Sequence, residues 1–398
     1  MKFLILNAGS SSLKFRLYQM PEFNLIVKGV CERIGLKEGF VDYYFNNERQ
    51  RFMCDFSNHI EALNKAIFMM CESELKVVDS LGEIDLVGHM FVNGGTMDKP
   101  CYANESIINE LKQNIDYAPV HMPNNIAVLE SSMSIFKDVP NMIYFDTHFH
   151  STMPPKAYTY AINTNYTQKY NIRKFGFHGS SHEYMSSKVL EYNKKAKKII
   201  TCHLGNGCSI SAILDGKCVD TTMGFTPLEG IIMGTRSGSV DPSIVGFICK
   251  KYNMSPDEVI TMLNEQSGLK GICGFSDLRD IEAGITKGDE NCALALEMYA
   301  YSIAKHIGAF IVTLHGLDAL AFGGGVGENS YLVRQKILEY LDFLGIEYDG
   351  RLNKKINRMS DKRISKQKSQ VDIYVISISE EYIVAKNLYA KYVNEHKN

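Results

Sequence analysis

The sequence predicts an α/β fold divided into two or three domains. Three observations carry this: short β-rich runs that stop abruptly at polar or glycine-rich residues, capped helical segments between them, and a length of 398 residues at about 100–200 per domain. Phe3-Leu4-Ile5-Leu6 is the first strand, ending at Asn7-Ala8-Gly9-Ser10-Ser11-Ser12, and Leu13 to Tyr18 resumes as the second. Met142 to Phe145 repeats the habit and ends at Asp146, with the linker zone expected around His150 to Pro155. Ile199 to Cys202 runs into His203-Leu204-Gly205-Asn206-Gly207, then Cys208 to Leu214 follows, and Asp215-Gly216 signals a hairpin into Lys217 to Asp220. The two strand-turn-strand units lie about 195 residues apart, which suggests a duplicated architecture.

Asp241-Pro242 opens a helix, and Ser255-Pro256-Asp257-Glu258 is a capping box whose helix should stop at Gly268. Met298 to Phe322, broken by Lys305, His306, His315 and Asp318, reads as a buried helix followed by a strand that ends in Gly323-Gly324-Gly325. Asp372 to Ile376 is a last strand, and Ser379-Glu380-Glu381 starts a helix carrying Tyr382, Ile383 and Ala385.

Composition excludes several classes of function. A balance of 43 Lys+Arg against 45 Asp+Glu argues against a dedicated nucleic-acid binder, and 45% hydrophobic residues against a disordered chain. Four apolar residues after Lys2 are too few for a signal peptide, and no run approaches a membrane span. None of the ten cysteines forms a CxxC or a zinc spacing, so scattered thiols in a reducing cytoplasm are expected. The basic run Lys194 to Lys198 reads as a solvated helix end.

Candidate chemistry gathers at the strand ends. Asn7 to Lys14 offers small residues, three hydroxyls, dense backbone N–H groups and a lysine, which phosphate oxygens require; a plain Ser-rich turn is the alternative. His203 to Gly207 is a second such cradle, and Gly323 to Asn329, with its glycines, a third. GxxxxGK[ST] and GxGxxG are both absent, but three cradles at strand ends point to a nucleotide at the carboxyl ends of a sheet. Asp146 is either a cap or a catalyst, Arg236 between Gly234 and Gly238 either a salt-bridge partner or a cleft cation, and His178 stands among aromatics and glycines. His148 and His150 alternate on a strand-like stretch and read as structural; His121 between Val120 and Met122 is ambiguous.

Taken together, Leu6 to Phe15, Phe145-Asp146-Thr147, Phe175 to Gly179, His203 to Gly207, Asp220 to Gly238, Asp277 to Asp280, Gly325 to Ser330 and Glu380-Glu381 make a collinear set over essentially the whole chain. With it the chain resembles the acetate kinase family, in the acetate and sugar kinase, Hsp70 and actin superfamily. The resemblance implies two actin-like (ribonuclease H-like) domains with a nucleotide cleft between them: 1–148 completed by about 378–398, and 149–377 binding the nucleotide. It implies Mg2+ (or Mn2+) at Asn7 and Glu380, and ATP phosphates at Lys14, Ser10, Ser12 and the cradle His203, Leu204, Gly205, Asn206 and Gly207. The nucleoside would lie along Asp277, Leu278, Arg279, Gly325, Val326, Gly327, Glu328 and Asn329. Asp146 would be the catalytic acidic residue, and His178 and Arg236 the transition-state stabilisers.

The acyl side would comprise Met90, Val92, His121, Phe177 and Pro227, with Val120 in the same apolar wall. Here the chain departs from the family's Gly-His-Arg-Val-Val-His-Gly-Gly, which stands as Gly88 to Gly95 with Met90 for the arginine and Asn93 for the last histidine. Arg173 and Lys174, just before the Phe175 to Gly179 segment, are candidate substitutes, with surface pairing the favoured reading. The resemblance implies a homodimeric, cytoplasmic, Mg-dependent kinase that phosphorylates acetate from ATP, with no nucleic-acid or membrane partner. Two alternatives stay open: another short carboxylate or a donor other than ATP, and a nucleotide-binding paralogue without catalysis.

Overall fold

The computed structural model describes residues 1–46, 48–119, 121–356 and 361–396. The chain divides into two compact units, Met1–His148 with Ser379–Asn398, and Phe149–Ile378.

The first unit holds an eight-stranded sheet. Its strands are β1 (Lys2–Ala8), β2 (Ser12–Gln19), β3 (Asn24–Glu32), β4 (Phe40–Phe45), β5 (Glu48–Met53), β6 (Leu86–Phe91), β7 (Cys101–Tyr102) and β8 (Asn141–Phe145), in the order β5-β4-β3-β2-β1-β6-β8-β7. β1 to β5 form an antiparallel meander, while β6 pairs parallel with β1, and β8 with β6. Side chains alternate across the sheet. Leu4 and Leu6, with Leu13, Phe15 and Leu17 from β2, pack on the helix His59–Cys71. Phe3 turns the other way, against Tyr389 and Tyr392 of the C-terminal helix Glu380–Glu395.

The second unit holds β9 (Lys198–Leu204), β10 (Cys208–Leu214), β11 (Lys217–Thr221), β12 (Ala319–Gly323), β13 (Lys362–Arg363) and β14 (Asp372–Val375), in the order β11-β10-β9-β12-β14-β13. Three antiparallel strands are followed by two parallel ones, the same order as β3-β2-β1-β6-β8, so the two sheets share one plan. Asp215 and Gly216 both take positive φ, 48° and 78°, and close the β10–β11 hairpin. The helix Gly179–Tyr192 buries Met185 and Val189 against Ile199, Ala319 and Ala321. The helix Glu290–Leu314, capped by Asp289, packs on β9 and β10.

Several elements differ from the sequence reading. His203 and Leu204 close strand β9, so the turn is only Gly205-Asn206-Gly207. Gly324–Asn329 is a short helix rather than an open glycine loop. His148–Thr152 is a 3₁₀ turn, not a strand-like stretch. The capping box at Ser255 forms, but its helix ends at Glu265, and Gly268 opens the next one. No helix among the described residues is long and apolar enough to cross a membrane, and all ten cysteines are free thiols.

Candidate active site

In the first unit, strand register assembles a charged cluster. Lys14 on β2 lies opposite Asn7 on β1, Arg16 opposite Ile5, and Met90 on β6 beside Asn7 and Tyr144. Directly paired residues project to one face, so Lys14, Arg16, Asn7 and Met90 share the face covered by the C-terminal helix, whose first turn carries Glu380 and Glu381. Arg16 meets Glu381 at 2.9 Å and donates to Ser379 Oγ at 2.7 Å, with the Glu381 side chain only 3% exposed. Asp146, buried just past β8, is held by its backbone N–H to Phe91 O at 2.8 Å.

The charges are mutually dependent. Burial pushes the Glu380 carboxyl up to about 7, against Lys14 and helped by Glu381 and Asp146. Burial would raise Glu381 too, but Arg16 and Lys14 hold it below the usual range. Burial would lower the Lys14 ammonium, and Glu380 and Glu381 overcome it. Ser12 starts β2 and Ser10 is exposed in a turn closed by Gly9 N–H to Ser12 O at 2.8 Å. His59 Nε2, 2.8 Å from Gly9 O, and Asn125 Nδ2, donating to Ala8 O at 2.8 Å, pin that turn; neither figured in the sequence reading.

In the second unit, His178 takes φ 57° at the start of the helix Gly179–Tyr192. Its ring stacks on His203 with centroids 4.1 Å apart, and its Nδ1 lies 2.8 Å from Ser209 Oγ. Burial, His203 and Arg236 hold the His178 imidazole well below its ordinary value, so it is neutral. Arg236 sits in a loop fixed by Gly234 N–H to Asn206 O at 3.1 Å and Leu269 N–H to Met233 O at 3.0 Å. A Cβ on Gly207 would lie 3.3 Å from Arg236 Nη1 and 3.5 Å from His178 Nε2, so both side chains converge on the space beside this glycine.

Next to that turn is a cavity of about 600 Å³, within the range of small-molecule sites. Gly205 and Asn206, Asp277, Leu278 and Arg279, and Gly325, Val326 and Asn329 line it, joined by Leu269, Ser276, Glu282 and Ser330, which sequence reasoning missed. Other expected members lie elsewhere. Leu204 is core, and His203 bonds Ser181 Oγ through Nδ1 at 2.6 Å. Gly327 O accepts from Arg334 at 2.7 Å and Glu328 from Ile378 N at 3.3 Å, because a helix turns those two away from the face bearing Gly325, Val326 and Asn329. Asp277 caps the helix Leu278–Thr286, and its hydrogen bonds from Arg279 hold its carboxyl down at about 2.

Of the acyl-side residues, Met90, Val92 and His121 belong to the first unit, and Phe177 and Pro227 to the second; Val120 lies outside the described residues. Asn93 is buried and its Oδ1 accepts from Gly95 N at 2.8 Å, so asparagine there closes the glycine turn. Arg173 and Lys174 are not spare cations. Arg173 lies 3.7 Å over the Tyr158 ring, and Lys174 donates to Thr221 O at 2.8 Å and pairs with Glu229 at 3.5 Å.

A duplicated actin-like sheet plan, a cavity of nucleoside size, and an arginine with a neutral histidine at its glycine turn define a kinase of the actin-like class. The family model described as the acetokinase family matches residues 2–386. An acetate kinase of Thermotoga petrophila is 43% identical over 393 residues, covering 97% of this chain and 98% of that protein. The crystal structure of Porphyromonas gingivalis acetate kinase superposes with a TM-score of 0.89 at 36% identity, covering 98% of this chain and 99% of the other. A propionate kinase from Francisella tularensis gives 0.89 at 36% identity, with 97% and 98% covered. The chain belongs to the acetokinase family.

Proposed function

We propose that the chain transfers the terminal phosphoryl group of ATP to the carboxylate of acetate, reversibly, giving acetyl phosphate and ADP. The observation that carries this reading is the Gly205-Asn206-Gly207 turn. Its first two residues line the nucleoside-sized cavity and its third faces both His178 and Arg236, so base-end and phosphate-end contacts lie on consecutive residues.

The chemistry follows from charge. A carboxylate is already ionised at pH 7, its ordinary pKa being about 4, so the acceptor needs no general base. Phosphoryl transfer then depends on in-line placement and on neutralising charge on the transferred group. Arg236 and neutral His178 supply donors to its equatorial oxygens, the largest catalytic contribution of this kind. Ser10, Ser12 and Lys14 meet phosphate oxygens. Acetate is assigned to Met90, Val92, His121, Phe177 and Pro227.

The first unit's oxygen donors suit Mg2+. Burial and the neighbouring Glu381 and Asp146 carboxylates raise the half-buried Glu380, Asp146 is itself buried, and Asn7 adds a neutral amide nearby. Mg2+ favours such a set, one or two carboxylates plus waters and phosphates, and Mn2+ accepts the same ligands. When bound, the ion neutralises charge on the phosphates. Asn7 and Glu380 would hold it, and Asp146 would orient its waters rather than remove a proton.

Met90 favours a second acceptor reading. A thioether cannot replace a guanidinium as a carboxylate donor, and the structural similarity extends to a propionate kinase, so preference for a longer acyl chain fits the same site. We also propose that the chain works in the cytoplasm, as its ten free thiols suggest, and as a homodimer. The helix Ser243–Tyr252 buries none of its residues and exposes Ile244, Phe247 and Tyr252, a surface for a second copy. Monomer mass by light scattering would refute the dimer.

The test is acyl phosphate formation with Mg-ATP, trapped as the hydroxamate, using acetate, propionate, butyrate and no acceptor. Saturable product with acetate is expected; none with any acceptor, despite ATP binding, would overturn the reading.

A further inference from the structure

We infer that Thr201, His182 and Ser209 form a hydrogen-bond relay that fixes the tautomer of His178, making its Nε2 a donor toward the Gly207 space. The inference rests on the reading of His178 as a donor to the transferred phosphoryl group.

Alternation and helix spacing build the relay. Thr201 on β9 and Ser209 on β10 project to the face covered by the helix Gly179–Tyr192, on which His182 stands one turn beyond His178. Thr201 Oγ1 lies 2.7 Å from His182 Nδ1, His182 Nε2 lies 2.7 Å from Ser209 Oγ, and Ser209 Oγ lies 2.8 Å from His178 Nδ1. Thr201, His182 and Ser209 are each 0% exposed, so no solvent completes their bonding.

Two directions run unbroken through this chain, since with both rings donating to Ser209 its own buried hydroxyl hydrogen would have no acceptor among the described residues. In one, the Thr201 hydroxyl donates to His182 Nδ1, His182 Nε2–H donates to Ser209, and the Ser209 hydroxyl donates to His178 Nδ1. Every hydrogen is then used, and the proton of neutral His178 sits on Nε2. In the other, His178 Nδ1–H donates to Ser209, Ser209 to His182 Nε2, and His182 Nδ1–H to Thr201. The Thr201 hydroxyl hydrogen is then buried without an acceptor, since among the described residues Thr201 Oγ1 bonds His182 alone. Buried donors are rarely left so, and the first direction holds.

The outcome matches the space beyond. Arg236 Nη1 and His178 Nε2 face the same position beside Gly207. With Nε2–H, both present hydrogens to an anion; with the reversed relay, the Nε2 lone pair would repel a phosphoryl oxygen. Thr201, His182 and Ser209 are therefore positioning residues that act through His178.

The experiment is long-range 1H–15N correlation on protein labelled with 15N-histidine, the His178 signal being assigned by its loss in His178→Ala. His178 is expected as the Nε2–H tautomer in the wild type, with a second tautomer appearing in Thr201→Val, which does not touch His178. Ser209→Ala should lower kcat by about tenfold or more, toward the 10²–10³ of a lost transition-state donor, while the KM values for ATP and acetate hold. Ser209→Thr, which keeps the hydroxyl, should restore kcat. A wild-type Nδ1–H tautomer overturns the relay whether or not any variant folds. So does an unchanged kcat in Ser209→Ala when His178→Ala is inactive. Wild-type kcat in His178→Ala would instead overturn the role given to His178, leaving the relay to be judged by the spectrum.

Discussion

Replacing Met90 by arginine tests the acyl side directly. Met90 is half-buried on β6, beside Asn7 and Tyr144, on the sheet face that carries Lys14 and Arg16. A guanidinium added there joins two cations on the face covered by the acidic first turn of the C-terminal helix, where burial, Glu381 and Asp146 raise Glu380 to about 7, so the acid cluster accommodates the charge. A charge-assisted hydrogen bond to the acceptor carboxylate is worth about 1.5–3 kcal/mol, and at about 1.4 kcal/mol per decade that is about ten- to 150-fold in affinity. Glu380 and Asp146 compete for the new side chain, which places the expected fall in acetate KM near the tenfold end. The ATP KM should change less, because the nucleoside is assigned to the cavity lined by Asp277 and Val326, which no residue of β6 lines. Initial rates of hydroxamate formation against acetate at saturating Mg-ATP, and against Mg-ATP at saturating acetate, give the two constants. An unchanged acetate KM in a folded variant would show that residue 90 does not face the acceptor.

Arg16→Met strands the Glu381 carboxylate, which is 3% exposed, and should lower stability in urea by about 3 kcal/mol; a loss under about 1 kcal/mol would mean Lys14 neutralises Glu381 unaided. Burial places Glu380 at about 7 in the folded chain against an ordinary 4.5, so its proton contributes stability that is complete below about 4.5 and lost as pH rises through about 7. Glu380→Gln should therefore be more stable than wild type at pH 8 without Mg2+, by at most about 1.4 kcal/mol per unit of that displacement, and equal to it near pH 4; parallel pH profiles would refute the shift. Gly207→Ala puts a methyl group 3.3 Å from Arg236 Nη1 and should cut kcat by about tenfold or more, with the urea midpoint unchanged. Wild-type turnover there would refute the convergence of His178 and Arg236.

What the sequence made legible was local. Apolar runs stopped by Asn7, Asp146 and Gly323 marked the strands, and their repeat along the chain foreshadowed two sheets of one order. β3 and β5 went unread because Lys28 in the one and Arg49 and Arg51 in the other interrupt any short apolar run. Gly324–Asn329 is helical although three of its six residues are glycine, because its packing against β12 and β9 outweighs a propensity of about 1 kcal/mol per glycine. The cavity was legible where whole motifs met it, as at Asp277 to Arg279, but a motif does not say which members turn away from it, as Gly327 and Glu328 do. Least legible were partnerships across the chain. Arg16 and Ser379 are 363 residues apart, and no spacing rule joins them. Alternation from Lys14 would have put Arg16 on the same face, and the Glu380-Glu381 doublet would have supplied its partner.

The C-terminal helix also bears on how the molecule is made. β1 is synthesised well ahead of Glu380–Glu395, so until that helix has been made, Phe3 lacks the ring contacts of Tyr389 and Tyr392, and Arg16 lacks its acidic partner. The first unit is thus finished only after the second has been made. Its oxygen-donor cluster cannot exist in any nascent intermediate that lacks Glu380 and Glu381.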